Sequence, residues 1–213
     1  YEISACLVGS EMCIRDRLRE PQQAEKFQAA ARQYGVAVPS MAMSGFFAQS
    51  FLTRDNYQDL LKDCFQTMKL FGSKVAFLPL GGSGKDWQQE GCAAYQQMVS
   101  RLRTAGEMAK QEGITIGIRT GMGAKFDKKL LKKVGSSQIK VYYNFQDAAD
   151  HHRDICKELR KLGAQRIVQI HVSNTDSVNL QEDPEINLPK IRKTLDKMKW
   201  SGWLVVERSR DVK

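Results

Sequence analysis

One phrase recurs along the chain from Glu20 onward: an amphipathic stretch with apolar residues at helical spacing, a glycine, then a short apolar run rich in β-branched and aromatic residues. The helical stretches cover residues 21–34, 56–71, 90–112, 126–134, 153–162 and 188–198, and the apolar runs cover 36–43, 74–80, 114–120, 139–145, 167–173 and 203–208. Each helix stops at Gly35, Gly72, Gly113, Gly135, Gly163 or near Trp200. Glycine suits that place because a helix most readily ends in a left-handed residue just past its last turn. Pro21 and Pro189 fall in first turns, where a missing N–H does no harm. Strands that are apolar on both faces and alternate with helices belong to a parallel sheet, so the fold class is α/β.

Six such units could form an open doubly wound sheet or most of a (β/α)8 barrel. Arg119, Asn144, His171 and Glu207 stand at or near the C-terminal ends of the last four runs. In an open sheet, strands about 4.8 Å apart would string these residues along an edge. A barrel gathers them at one mouth, which is where barrel enzymes carry their chemistry. The glycine-rich Gly81-Gly82-Ser83-Gly84-Lys85 is like a phosphate loop, yet Pro79 stands where the first glycine belongs and Asp86 where Ser or Thr should follow the lysine. It reads as a βα loop.

Composition excludes several classes. The 213 residues are 42% hydrophobic, which suits one globular domain, and no apolar run approaches the roughly 18 residues that a membrane helix needs. The five cysteines, Cys6, Cys13, Cys64, Cys92 and Cys156, are odd in number and contain no CxxC pair, which argues for a reducing compartment such as the cytoplasm. The net charge of +9 comes largely from lysines interleaved with apolar residues at helical spacing, as in 125–133 and 190–199, and reads as solvated helix faces rather than a nucleic-acid surface.

The opening residues 1–17 carry no pattern that continues into the rest, and the piece SEMCIRDR resembles translated adapter read-through at the ends of metagenomic sequences. The expectation is a non-native segment over 1–17 and a partial barrel domain over 18–213. About strands three to eight would be present, with the first two strands and the last helix missing. The native start being absent on this reading, the lack of a signal peptide says nothing about export.

From Ile114 on, the pieces IGIRT, IKVYYNFQDA, IVQIHVSNTD and WSGWLVVERSRD resemble the xylose isomerase-like TIM barrel superfamily of sugar phosphate isomerases and epimerases. The resemblance implies a (β/α)8 TIM barrel whose last four strands end in Glu, Asp, His and Glu. In the family these side chains hold one divalent ion, commonly Mn²⁺, Mg²⁺, Co²⁺ or Zn²⁺, against the sugar, and the two glutamates move protons between adjacent carbons. Here His171 and Glu207 match, Asn144 replaces the Asp, and Arg119 replaces the first Glu. The implied metal ligands are therefore His171, Glu207 and Asn144, in a degenerate site.

Replacing a carboxylate by a guanidinium changes the electrostatics most. The family set carries three negative charges, whereas Arg119, Asn144, His171 and Glu207 sum to zero, with a permanent cation at the metal position. Like charges a few Å apart in a partly dry mouth repel by several kcal/mol, so the dication should be weakened or lost. The expected catalytic residues are Glu207, as base, and His171, polarising a hydroxyl or carbonyl. Substrate contacts are expected from Arg119, Asn144, Asp147 and Asn174, the resemblance placing Asp147 where relatives put a substrate-contacting His or Asn.

Plainer roles stand beside these. Arg119 and Glu207 could close a dead site as an ion pair, Asn144 could be a strand-end turn residue, and Asp150 could cap a helix beside His151 and His152. Tyr142, Tyr143, Trp203, Met41, Met43 and Phe46 fit packing better than substrate contact. The leading function is a sugar or sugar phosphate isomerase or epimerase with altered metal use, and the alternative is a non-catalytic sugar-binding barrel. An abasic-site endonuclease would use the positive charge but needs a richer ligand cluster than three histidines allow. Partners are then a small sugar or sugar phosphate, with no membrane or nucleic acid, while self-association stays open.

Overall fold

A computed structural model describes residues 12–13, 20–80, 86–173, 180 and 182–206, with Met12, Cys13 and Asp86 by backbone alone. Asn174, Glu207 and the glycine-rich loop 81–85 lie outside the described residues. The elements run β1 Met12–Cys13, α1 Pro21–Tyr34, β2 Ser40–Ala42, α2 Gly45–Ala48, α3 Tyr57–Phe71, β3 Val75–Pro79, α4 Ala93–Glu112 and β4 Thr115–Arg119. There follow α5 Ala124–Val134, β5 Ile139–Asn144, α6 Phe145–Ala149, α7 Ile155–Leu162, β6 Ile167–Val172, α8 Leu188–Lys197 and β7 Trp203–Val206.

All the described strands pair in parallel and in chain order, β1 through β7. The sheet is curled rather than flat, and one side-chain contact shows it. Gln169 Nε2 on β6 donates to Ser40 Oγ on β2 at 2.9 Å and to Tyr142 OH on β5 at 3.1 Å. In a flat sheet β2 and β6 would stand about 19 Å apart, four strand spacings, and no side chain could span that gap. Successive residues of each strand point to opposite faces of this curled sheet. Ala42, Phe77, Tyr142 and Val205 face inward as a small inner cluster, while a larger apolar layer fills the space between sheet and helices. The Tyr142 ring packs at 4.5 Å from Phe77 and over Gly117, where a Cβ would come within 3.0 Å of Tyr142 Cβ.

Helices α1, α3, α4 and α5 end in left-handed glycines at 35, 72, 113 and 135. Met41, Met43, Phe46, Tyr142 and Tyr143 are all buried, and Lys125, Lys129, Lys132 and Lys133 lie on exposed faces. Three features differ from the sequence reading. First, Met12–Cys13 pairs with Met41 and Ala42 as a strand ahead of the first expected run; two residues are too few to show alternation. Second, the short helix α6 follows directly on β5, so Phe145 begins a helix instead of ending a strand. Third, α7 is capped by Asp154, whose Oδ1 accepts from Lys157 N at 2.9 Å, while Asp150 ends α6. The apolar period alone does not separate two acids four residues apart, and only Asp154 has the extended backbone of a cap.

Candidate functional site

The C-terminal ends of β4, β5 and β6 bring Arg119, Asn144 and His171 to neighbouring positions at one mouth. Arg119 ends β4. Its Nε and Nη2 donate side-on to both carboxylate oxygens of Asp147, at 2.8 and 2.6 Å, with the two side chains 25% and 19% exposed. Such a two-point pair fixes direction as well as charge. Asp147 is held by its backbone too, because its N–H donates to Asn144 Oδ1 at 3.3 Å in an Asn cap of α6.

Asn144 is buried and joins the other flank. Its Oδ1 also accepts from Ser173 Oγ at 2.8 Å, and the backbone donor on Asp147 fixes which end of the amide is oxygen. The Nδ2 end therefore faces His171 Nδ1, at 3.5 Å, across the β5–β6 register in which these two residues are partners. In a neutral ring whose Nδ1 accepts this contact, the proton lies on Nε2. The ring is 7% exposed and meets Tyr142 edge-on at 5.7 Å.

Behind Arg119 lies a group of side chains that the sequence reading did not single out. Arg153 Nη2 donates to the backbone oxygens of Asp147, at 2.6 Å, and Gly121, at 3.1 Å. Its Nε lies 3.4 Å from Glu158 Oε2, an ion pair without hydrogen-bond geometry. Glu158 accepts from Ala124 N at 3.1 Å and from Tyr143 OH at 3.4 Å. Thr120 Oγ1 donates to Asp127 Oδ1 at 2.6 Å and accepts from Met122 N at 3.1 Å. Burial pushes the Asp127 carboxyl up to about 7, against the pull of the Thr120 hydrogen bond, with Glu158 adding to the rise. Burial, then Glu158, raises the Tyr143 phenol as well. One signal for Asp127 was present: with Leu130, Leu131 and Val134 it occupies the buried stripe of α5, an acid where an apolar residue is usual. Arg153 and Glu158 carry no such mark, since they look like ordinary charges at the start of a helix.

Could these residues hold the expected dication? The described ones do not fit it. Both lone pairs of Asn144 Oδ1 are already hydrogen-bonded, and Arg119 contributes a cation. Among the described residues no three His, Cys, Asp or Glu side chains are grouped to bind a metal. The expected catalytic Glu207 and substrate contact Asn174 lie outside the described residues, so the geometry gathers Arg119, Asn144, Asp147 and His171 of the expected set.

Residues 9–212 match the family described as xylose isomerase-like TIM barrel. The chain belongs to that family. The xylose isomerase-like fold is also that of known structures at low identity. A probable 3-DHS dehydratase, AsbF from Bacillus anthracis, gives a TM-score of 0.79 at 14% identity over 96% of this chain and 83% of that one. D-psicose 3-epimerase from Clostridium cellulolyticum H10, solved with D-tagatose, gives 0.71 at 12% identity, over 93% and 74%. The IolI protein with a bound zinc atom gives 0.72 at 14% identity, over 95% and 80%. No curated protein matches. Xylose isomerase-like neighbours thus include an epimerase, a dehydratase and a zinc-binding protein, while no helix among the described residues is long and apolar enough to cross a membrane.

Proposed function

We propose that this barrel is a sugar or sugar phosphate isomerase or epimerase that moves a proton at a carbon next to a carbonyl, with the usual metal site altered by Arg119 and Asn144. The observation that carries the reading is the connected set at the mouth: Asp147 receives Arg119 on its carboxylate and gives its N–H to Asn144, which in turn faces His171. A cation, an amide and an imidazole on three successive strands suit a small polyhydroxylated substrate. Asn144 and, by its position in sequence, Asn174 contact substrate hydroxyls. His171 polarises a hydroxyl or carbonyl oxygen. Glu207, two residues beyond Val205, is assigned as the base from its place in the sequence alone. Arg119 supplies positive charge to an enediolate oxygen, a phosphate or a sugar-acid carboxylate, with Asp147 holding it in place.

A non-catalytic sugar-binding barrel remains as the second reading, favoured by the Arg119–Asp147 pair, which quenches much of the charge an electrophile needs. Loss of deuterium from C2-deuterated sugars and sugar phosphates, followed with EDTA and with added Mn²⁺, separates the two. The first reading expects wash-out in EDTA that disappears in Glu207→Gln. Binding of a sugar without wash-out under either condition would establish the second.

A further inference from the structure

We infer that Arg153 is a positioning residue for Arg119, fixing the guanidinium at the mouth through Asp147. This rests on the reading of the mouth just given. Arg153 makes its bonds to three pieces of chain at once: the β4–α5 loop at Gly121 O, α6 at Asp147 O, and α7 through Glu158. The Asp147 carbonyl is pulled from one side by Arg153 while its N–H is pulled from the other by the Asn144 cap. With its backbone held at both ends, Asp147 keeps only its two side-chain torsions to settle, and the side-on fork with Arg119 settles those.

The packing around Arg153 shows that its own place is set. Its side chain is 23% exposed and that of Glu158 14%. Gly123, at φ +89°, lies against both: a Cβ there would come within 2.9 Å of Glu158 Oε1 and 3.1 Å of Arg153 Nε. Glu158 is tied in turn to the first turn of α5 and to Tyr143. The line of contact therefore runs from α7 through Glu158, Arg153 and Asp147 to Arg119. A guanidinium held this way is a fixed hydrogen-bonding plane, whose productive geometry costs little ordering when substrate arrives.

The test reads Arg119 directly and needs no turnover, so its outcome is separate from that of the proposed reaction. In the full chain labelled with ¹⁵N-arginine, the Arg119 Nε–H resonance is assigned by its absence in Arg119→Lys, and its exchange with water is measured. Arg153→Met keeps the length of the side chain and removes its donors. In that variant exchange at Arg119 should speed up roughly tenfold, while backbone amides of β3 and β6 keep their protection. Arg153→Lys, with the charge but no fork, should give a smaller increase. If Arg153→Met does not fold, Glu158→Gln is the substitute and should also speed the exchange. Wild-type exchange at Arg119 in a folded Arg153→Met or Glu158→Gln protein would overturn the inference, and so would a loss of protection that spreads equally to β3 and β6.

Discussion

The two flanks of the mouth are built from different chemistry. Between β4 and β5 the residues are charged: Arg119 with Asp147, Arg153 with Glu158, and Asp127 beneath Thr120. Between β5 and β6 the neutral Asn144 and Ser173 are hydrogen-bonded to each other, beside the His171 ring. Charges taken from water must be matched closely or they destabilise, whereas neutral amides and hydroxyls need only their hydrogen bonds. The charged flank is accordingly braced from four elements, while the neutral one needs only a helix cap and one strand register. Substitutions should therefore be tolerated better on the neutral flank, and pH should act on the charged one.

The largest effect is expected at Asp127. Its folded pKa, near 7, lies above the ordinary value of 3.8, so between those limits the unfolded chain binds fewer protons than the folded one. Stability should therefore fall as pH rises from about 4 to about 7, by on the order of 4 kcal/mol. Asp127→Asn, which can still meet Thr120, should remove that slope; a slope unchanged in chemical denaturation across this range would place the titration elsewhere. Next comes Arg119→Ala, which strands Asp147 on the charged flank. A loss of about 2 kcal/mol at neutral pH is expected for a pair of this partial exposure, recovered in large part when Asp147→Asn is added. On the neutral flank Asn144→Ala should cost about 1 kcal/mol, a lost cap, with no pH dependence of its own. A pH-dependent loss there would erase the distinction between the flanks.

Much of the fold could be read from periodicity, because each strand and helix had to bury a face and α1, α3, α4, α5 and α7 are each followed by a glycine. The short elements could not: β1 has two residues and α6 five, below the length at which a period shows. At the site, Arg119, Asn144 and His171 stood out as polar residues in apolar runs. The pairing of Arg119 with Asp147 did not, since it depends on α6 turning Asp147 back over β4, and nothing local to either residue records that turn. Arg153 and Glu158 were hidden for a related reason: charges at a helix start look solvated until a neighbouring loop covers them.

In the proposed function an arginine–aspartate pair stands where the family places a metal ligand. Calorimetric titration of Mn²⁺ into wild type and Arg119→Glu tests it most directly. Weak or undetectable binding to wild type and a clear gain in Arg119→Glu are expected, because the substitution removes a cation and returns a carboxylate beside Asp147. Tight stoichiometric binding of Mn²⁺ to wild type, or no gain in a folded Arg119→Glu protein, would contradict it.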